Sequence, residues 1–459
     1  MKMKKKMSVL GALILSLALL VAGCGTGGGT AGNKNPNGNS SADGKIELSL
    51  WHTWGTKNAG WLQAMADDFN SSQDKYTVVL VNQQSAGTIR QKLSTLKQDS
   101  YPAIFCGQPT ATSYYNSVSY IKPLQDFVDA DDTDWTADIY QSVKDSYSNL
   151  EGRMLGAPFG VSCNGYFVNV DLIRQAGYSL EDMTSFEKIA EIAKAVTDKG
   201  LCKYGIAFYS TGVELPDMLT VQGVDLVDAE NGYAGEPTKS LLSEGETHES
   251  ASKAVKLIAS LYEAGVAYPY GADIAGETMP SFYNGNLAIC MATNSWSHYI
   301  VDNGTEFEYA FVPAVGVDEK AANSGSALVE GTGLYICDTG NDEQMQGAYQ
   351  FIKFLAEPKQ QAYWCCKLGY VPYTDEAVAQ ETYTEWVNSN FPSLVELREK
   401  IKASKLRGSY TAIPDEILSA CNEMLSYVAA DPKGDLEAYI QDAGQAIEEG
   451  FEIQALRRQ

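Results

Sequence analysis

The stretch IELSLWHTWGTKNAGWLQAMADDFNSS, residues 46–72, places a strand pattern, an aromatic loop and a helix pattern in direct succession. Ile46, Leu48 and Leu50 alternate with polar residues, which predicts a strand with one buried face. Apolar residues then recur at helical spacing until Asn70-Ser71-Ser72 ends the helix, namely Trp61, Leu62, Met65, Ala66 and Phe69. A strand that leads at once into a helix is the building unit of α/β proteins.

The alternation of strands and helices continues along the chain. Further strands are predicted at residues 76–81, 103–106, 166–168, 287–292 and 333–337. Further helices are predicted at residues 89–96, 186–196 and 251–262, after the capping residues Asn341 and Gln344, and over nearly all of the chain from Asp375. This order predicts an α/β fold class, with mostly parallel sheets that carry helices on both faces.

The composition excludes several classes of protein. A length of 459 residues suggests about two or three domains. The chain carries 34 Lys and Arg against 58 Asp and Glu, a formal net charge of −24. Such a surface repels phosphates, which argues against nucleic acid and anionic lipid as partners. The three His are far apart in sequence, so neither a metal site nor a cofactor is expected.

No catalytic residue is predicted, because the motifs of common catalytic sites are absent. The sequence contains no G-x-S-x-G, G-x-x-x-x-G-K-[ST], H-E-x-x-H or C-x-x-C. Most of the nine Cys lie in apolar contexts and are interpreted as small buried residues. A pair of glycosidase carboxylates stays open as an alternative, since Asp and Glu are numerous and no pair stands out.

The first 24 residues have the features of an export signal. MKMKKKM carries four Lys, and the apolar run 9–22 that follows is shorter than the roughly 20 residues of a membrane span. The run ends in Val21-Ala22-Gly23-Cys24, which resembles the lipobox of bacterial lipoproteins. We predict a signal peptide over 1–23 and acylation of Cys24, with palmitate among the acyl groups. A plain signal peptide with an incidental Cys is the alternative.

Residues 24–44 are predicted to form a flexible linker. The segment is rich in Gly, Asn and Ser and has no aliphatic residue larger than Ala, so it cannot bury a core. Twenty such residues reach roughly 25 Å. The folded part is therefore expected outside the cytoplasm and attached to the cell membrane by its lipid anchor only.

Several predicted strands lead into aromatic and polar residues. Trp54 follows the first strand, Gln108 the third and Trp296 a later one, while Gly331 precedes the last. Ligands of α/β sheets bind beyond the carboxyl ends of strands. Flat aromatic faces beside hydrogen-bonding groups suit sugar rings. Packing in the core is the alternative role for each Trp.

An ordered set of segments resembles a known family. It comprises the lipobox, LSLWHTWG, YPAIFCG, LGAPFGVSCNGYFVNVDLIRQAGY, FYNGNLAICMATNSW, FIKFLAEPKQQAYWCCKLGYVPYT and LRGSYTAIPDEI. In this order the segments are similar to family 1 extracellular solute-binding proteins, the substrate-capturing subunits of ABC importers. The likeness covers nearly all of the chain from about residue 45. It implies a monomer that carries a small carbohydrate to the transmembrane permease subunits.

The resemblance also implies a two-lobed fold of the periplasmic-binding-protein kind, hinged by three crossings. By similarity the crossings are expected near Phe159–Ser162, Leu328–Gly331 and Val371–Tyr373. The N-terminal lobe is then expected to comprise 45–159 and 330–371, and the C-terminal lobe 160–329 and 372–459. The ligand is expected in the cleft between the lobes, and hinge closure is expected to report its binding.

Site residues follow from the same resemblance, position by position. Trp296 matches a Trp that stacks on a sugar ring in maltose-binding members, and Gln108 holds the place of a frequent sugar contact. The loop after the first strand points to Trp54, and more weakly to Thr53 and Lys57. Tyr370 and Arg407 match ligand contacts of glycerol-3-phosphate-binding members, and Gly331 at the second crossing completes the set.

Three functions stay open at this point. The first is a receptor for a carbohydrate, preferably an oligosaccharide, and the second a receptor for glycerol-3-phosphate or another polyol phosphate. The third is an extracellular sensor or enzyme on the same scaffold, because a fold alone does not define a function. The bulky Trp296 and the uncharged Gln108 favour a ring-stacking site over a small phosphate site.

Overall fold

The computed structural model describes residues 44–457 of the chain. The predicted signal peptide, Cys24 and nearly all of the predicted linker lie outside the described residues. Within 44–457 no helix combines the length and the apolar character needed to cross a bilayer.

The described part of the chain forms ten strands in two sheets. The strands are β1 (Ile46–His52), β2 (Tyr76–Asn82), β3 (Ile104–Gly107), β4 (Ile121–Lys122), β5 (Ala157–Ser162), β6 (Asn164–Asn169), β7 (Tyr204–Ala207), β8 (Leu287–Thr293), β9 (Tyr309–Pro313) and β10 (Glu330–Cys337). The larger sheet has the order β2-β1-β3-β10-β4, with β5 paired to the first half of β10. The smaller sheet has the order β7-β8-β6-β9.

Both sheets are mixed. In the larger sheet β1 is parallel to β2 and β3, whereas β10 is antiparallel to β3, β4 and β5. In the smaller sheet β7 is parallel to β8, and β6 is antiparallel to β8 and β9. The α/β class is confirmed, but the expected predominance of parallel strands is wrong. Strand β8 and the second half of β10, residues 333–337, are buried apolar runs, a pattern that does not reveal strand direction.

Helices cover the sheets and form most of the C-terminal region. They are α1 (Thr56–Ser72), α2 (Ala86–Leu93), α3 (Thr112–Ser117), α4 (Leu124–Val128), α5 (Gln141–Ser146), α6 (Val170–Ala176), α7 (Phe186–Asp198), α8 (Glu214–Gln222), α9 (Asp228–Asn231, a turn with left-handed backbone), α10 (Gly245–Glu263), α11 (Met279–Tyr283), α12 (Ser297–Asn303), α13 (Asp342–Leu355), α14 (Pro358–Leu368), α15 (Asp375–Val378), α16 (Glu381–Asn390), α17 (Ser393–Ala403), α18 (Pro414–Ala430) and α19 (Leu436–Arg457).

Local signals account for several helix boundaries. The side chain of Asn341 accepts a hydrogen bond from the backbone N–H of Gln344, as the capping pattern predicts. Helix α14 then begins at Pro358, whose missing N–H costs nothing at a first helical position. In α1 the apolar face predicted from spacing is buried, from Leu62 to Phe69.

Buried apolar residues form two clusters. One surrounds the larger sheet with α1, α13 and α14, and it includes Phe167 and Phe311 of the smaller sheet. The other lies between the smaller sheet, α7, α8 and α10. The C-terminal helices are shared, since residues 383–401 pack into the first cluster and residues 413–451 into the second. The predicted lobe boundaries stay a prediction.

Three extended segments meet where the chain passes between the sheets. Val161 at the end of β5 pairs with Gly331 at the start of β10. On its other side Val161 forms a bridge with Val371, whose N–H donates to the Val161 carbonyl at 2.9 Å. Backbone hydrogen bonds join these segments into one narrow ribbon, and the three crossings expected there stay a prediction.

The eight described cysteines are free thiols. Cys202 and Cys366 are half-buried, and the other six are buried, in line with their interpretation as small apolar residues. Burial raises the pKa of all eight thiols, which keeps them protonated at neutral pH. The six buried thiols occur in both sheets, in α14 and α18, and between β5 and β6.

Candidate functional site

A cavity of about 740 Å³ lies between elements of the two sheets. From the larger sheet it is lined by the segment after β3, which contains Gln108, and by α5 with the loop that follows. From the smaller sheet it is lined by α8. Residues 328–330, where the second crossing is expected, and the segment 402–410 complete the wall. Cavities of this size are typical of small-molecule sites.

The charges on the cavity wall are separated by depth. Asp217 is 4% exposed and Glu330 is half-buried. The basic residues are nearer to water, and the side chain of Arg407 is 55% exposed. Arg407 is 3.7 Å from the carboxylate of Asp145, and Lys402 bonds Asp375. The cavity therefore has an acidic buried end and a more basic mouth.

One amide holds the two acidic side chains together. The Nδ2 group of Asn164 in β6 donates to Oδ2 of Asp217 at 2.7 Å and to Oε2 of Glu330 at 2.9 Å. Burial raises the pKa of both carboxyls, and the charge of Glu330 raises that of Asp217 further. At neutral pH the pair therefore holds less than two full negative charges. Sequence reasoning did not find this pair.

Two tyrosine rings provide an aromatic surface in the cavity. The rings of Tyr233 and Tyr410 are 5.6 Å apart with an interplanar angle of 36°. The Tyr233 hydroxyl donates to the Gly408 carbonyl at 3.0 Å, and the Arg407 guanidinium lies 5.4 Å from the centre of the Tyr233 ring. Tyr410 belongs to the predicted segment LRGSY, whereas no pattern in the sequence indicated Tyr233.

Of the predicted ligand contacts, Gln108 and Arg407 line the cavity. Gln108 directly follows β3, as the strand pattern indicated. Arg407 lies in the irregular segment between α17 and α18. No group of His, Cys, Asp and Glu within 44–457 has an arrangement that could hold a metal ion.

Trp54 and Tyr370 lie in a buried aromatic group beside the crossings. Trp54 meets Phe159 and Trp364 edge to face, with ring centroids 5.7 and 5.1 Å apart. Burial raises the pKa of Tyr370, while hydrogen bonds with Trp54 and Thr332 oppose that rise. These two residues are close to each other but do not line the cavity.

Trp296 lies in the turn before α12 and is half-buried. Its indole N–H donates to the hydroxyl of Tyr209 at 3.0 Å. Burial raises the pKa of Tyr209, and the hydrogen bond from Trp296 opposes that rise. Trp296 is thus joined to Tyr209 by a hydrogen bond, and neither residue lines the cavity.

Gly331 has a backbone conformation that other residues rarely adopt, with φ at +110°. A Cβ atom at this position would lie 1.9 Å from the carbonyl oxygen of Gly160. The residue is therefore required for the close approach of β5 and β10, while the adjacent Glu330 reaches the cavity.

Two ion pairs join elements of the two sheets. Arg90 in α2 bonds both carboxylate oxygens of Asp415 in α18, with Nε 2.9 Å from Oδ2, and its Nη1 lies 3.2 Å from the Tyr115 hydroxyl. Lys57 in α1 pairs with Asp302 in α12. Thr53 and Lys57, which the resemblance indicates less strongly than Trp54 as ligand contacts, do not line the cavity.

Two groups of elements with a ligand-sized cavity between them define a binding protein of the two-lobed α/β class. The family of bacterial extracellular solute-binding proteins matches residues 64–392, and the chain belongs to this family.

The sn-glycerol-3-phosphate-binding periplasmic protein UgpB of Yersinia pestis bv. Antiqua is 26% identical over 345 residues, which cover 72% of this chain and 75% of that protein. The cyclic α-maltosyl-1,6-maltose binding protein of Arthrobacter globiformis superposes with a TM-score of 0.67 at 20% identity, covering 89% of this chain and all of that one. UgpB of Mycobacterium tuberculosis, solved with glycerophosphocholine, gives a TM-score of 0.70 at 17% identity, covering 90% and 99%. These structures share the fold.

Proposed function

We propose that the protein is the substrate-binding lipoprotein of an ABC importer and captures a carbohydrate, preferably an oligosaccharide, between its lobes. It performs no catalysis, works as a monomer and delivers its ligand to the permease. The observation that carries the proposal is the cavity itself, which combines tyrosine rings with amide and carboxylate groups. Rings accept the apolar faces of sugars, and the polar groups match their hydroxyls.

The lobes and the remaining predicted contacts belong to this proposal. The lobe boundaries are those expected from the sequence, with the three joined segments as the hinge. Trp296 is proposed as a sugar contact from the resemblance to maltose-binding members and from its half-buried indole, although it does not line the cavity. Trp54, Gly331 and Tyr370 are proposed to adjoin the same end of the ligand.

A polyol phosphate is the second candidate. Arg407, with Lys402 and Lys405 on the same wall, favours it, since a guanidinium matches phosphate oxygens well. The glycerol-3-phosphate and glycerophosphocholine in the names of related proteins agree with this candidate. The buried end of the cavity argues against it, because the two carboxyls there repel an anion.

Calorimetry decides between the two candidates. We expect the wild type to bind at least one member of a panel of maltose, maltotriose, raffinose and cyclic glucose tetrasaccharides, and not to bind glycerol-3-phosphate. Tyr233→Ala removes a ring from the cavity wall and is expected to lower saccharide affinity about tenfold, since an aromatic contact contributes roughly 1 kcal/mol beyond area burial. Tyr427→Ala is the control, because Tyr427 is an exposed residue of α18 outside the cavity.

The opposite result is equally clear. Micromolar binding of glycerol-3-phosphate that Arg407→Ala abolishes, without binding of any saccharide in the panel, would establish the second candidate.

The lipid anchor is proposed from the segment VAGC alone. A diacylglyceryl group on Cys24 supplies two acyl chains, and two chains anchor a protein stably where one does not. We expect Cys24→Ala to move the exported protein from the membrane fraction to the soluble fraction, as measured by fractionation and metabolic labelling with palmitate. If the variant stays in the membrane fraction, the anchor assignment is wrong.

A further inference from the structure

The two carboxyls at the buried end of the cavity come together from distant parts of the chain. Asp217 is contributed by α8, Glu330 by the start of β10 and the bridging Asn164 by β6. Asn164 is separated by 53 residues from Asp217 and by 166 from Glu330. The three side chains therefore come together only in the folded protein, where the start of β10 approaches β6 and α8.

The hydrogen bonding of this group is incomplete. Both bonds to the acids come from the same Nδ2 atom, so the amide has no further hydrogen to donate. Within the described part of the chain, no donor reaches Oδ1 of Asp217 or Oε1 of Glu330, although Asp217 is more than nine-tenths buried and lines the cavity. The Oδ1 atom of Asn164 is buried without a partner as well. Because Asp217 and Glu330 line the cavity, a ligand bound there can donate hydrogen bonds to their remaining carboxylate oxygens.

Among the residues that the structure describes, no basic group forms a hydrogen bond or an ion pair with either carboxyl. The titratable groups around it are the carboxyl of Glu214 in α8, the thiol of Cys163, and the phenols of Tyr147, Tyr166 and Tyr209. Burial raises the pKa of each of these thiol and phenol groups, so they are neutral at physiological pH. The bases on the cavity wall are Lys402, Lys405 and Arg407, and two of these already face Asp375 and Asp145.

We propose that Asp217 and Glu330, bridged by Asn164, form a specificity-determining subsite that accepts hydrogen bonds from hydroxyl groups of an uncharged ligand and excludes a phosphate. The subsite rests on the proposed function, whose substrate class it specifies. A hydroxyl is uncharged and can donate a hydrogen bond to a carboxylate without electrostatic repulsion. An ionised phosphate offers acceptors only, and it meets negative charge in a poorly solvated site.

The subsite makes ligand binding depend on protons. Hydroxyl donors favour the ionised carboxylates, so the bound ligand lowers the raised pKa values of the pair. Binding therefore releases protons, and affinity falls as the pH is lowered through the range in which the pair titrates. A purely structural acid pair would show no such linkage.

Calorimetry on the full chain with the same saccharide panel and glycerol-3-phosphate tests the subsite. Asp217→Asn and Glu330→Gln are each expected to lower the affinity of the bound saccharide at least about tenfold, the scale of a hydrogen bond to a charged group. The control Glu423→Gln alters an exposed carboxylate of α18 outside the cavity and is expected to change affinity less than about twofold. Proton release, measured from binding enthalpies in buffers of different ionisation enthalpy, is expected in the wild type and lost in both variants.

Each outcome decides a separate point. Saccharide binding with unchanged affinity and proton release in both variants overturns the subsite and leaves the proposed function intact. Binding of glycerol-3-phosphate by the wild type, or of no saccharide in the panel, overturns the proposed function and the subsite with it. Thermal unfolding checks that the variants are folded. Both variants relieve repulsion between buried acids, so their unfolding temperatures are expected to be no lower than that of the wild type.

Discussion

Replacing Gly331 with alanine is expected to destabilise the protein by about 3 kcal/mol, because two unfavourable effects add at this position. A left-handed backbone costs a residue with a Cβ roughly 1–2 kcal/mol. The new Cβ would also lie 1.9 Å from the Gly160 carbonyl oxygen, a backbone atom that cannot move without separating β5 from β10. Overpacking of this kind costs about 1–3 kcal/mol. Urea denaturation followed by circular dichroism measures the loss.

Gly325 offers a matched control for this substitution. It has φ at +81°, and a Cβ there would meet nothing within 4 Å. Gly325→Ala should therefore show the backbone cost alone, about 1 kcal/mol. Equal losses in the two variants would mean that the contact with Gly160 contributes nothing.

Asp415→Ala is expected to cost about 3 kcal/mol, because it leaves the guanidinium of Arg90 buried without its counter-charge. The Arg90 side chain is 6% exposed, and Asp415 accepts hydrogen bonds from two of its nitrogens. This loss of stability is at the lower end of the range for broken buried ion pairs, because the Asp415 side chain is 49% exposed. Equilibrium unfolding in urea, at low and at high salt, is the appropriate measurement.

The second ion pair between the two groups of elements serves as the comparison. The side chains of Lys57 and Asp302 are 59% and 38% exposed, so water already screens their attraction. Asp302→Ala is expected to cost less than about 1 kcal/mol and to lose most of that at high salt. If Asp415→Ala proves as mild as Asp302→Ala, Arg90 reaches water once its partner is removed.

The parts of the fold that follow from local sequence were predictable. Helix α1 buries the face that its spacing selects. In β1 the predicted residues Leu48 and Leu50 are buried, but Ser49 between them is buried too, so the strand is covered on both faces and not on one. Strand β5 was not predicted as a strand, because APFGVS is buried on both faces and contains Gly and Pro, so it shows no alternation. Strand pairing depends on residues far apart in sequence. The antiparallel direction of β10 relative to β3 and β5 therefore has no signal in the local sequence.

The candidate site also contains residues that the sequence indicated and residues that only the structure revealed. Gln108 and Arg407 were indicated by their place after a strand and by resemblance, and the structure puts both on the cavity wall. Asp217 and Asn164 carry no signal of their own, because an acid within a helix and an amide within a strand are ordinary residues. They can be recognised as part of a site only in the structure, where three separate elements bring them and Glu330 within hydrogen-bond distance.

The distribution of free thiols gives the molecule a set of built-in reporters of local opening. A buried, protonated thiol reacts with an alkylating reagent only after its surroundings separate, so its labelling rate follows the free energy of that local opening. Cys106 and Cys337 report on the larger sheet, Cys290 on the smaller sheet and Cys421 on α18. Cys163 reports on the junction beside the crossings. The stability of each region can thus be followed separately in the unaltered protein.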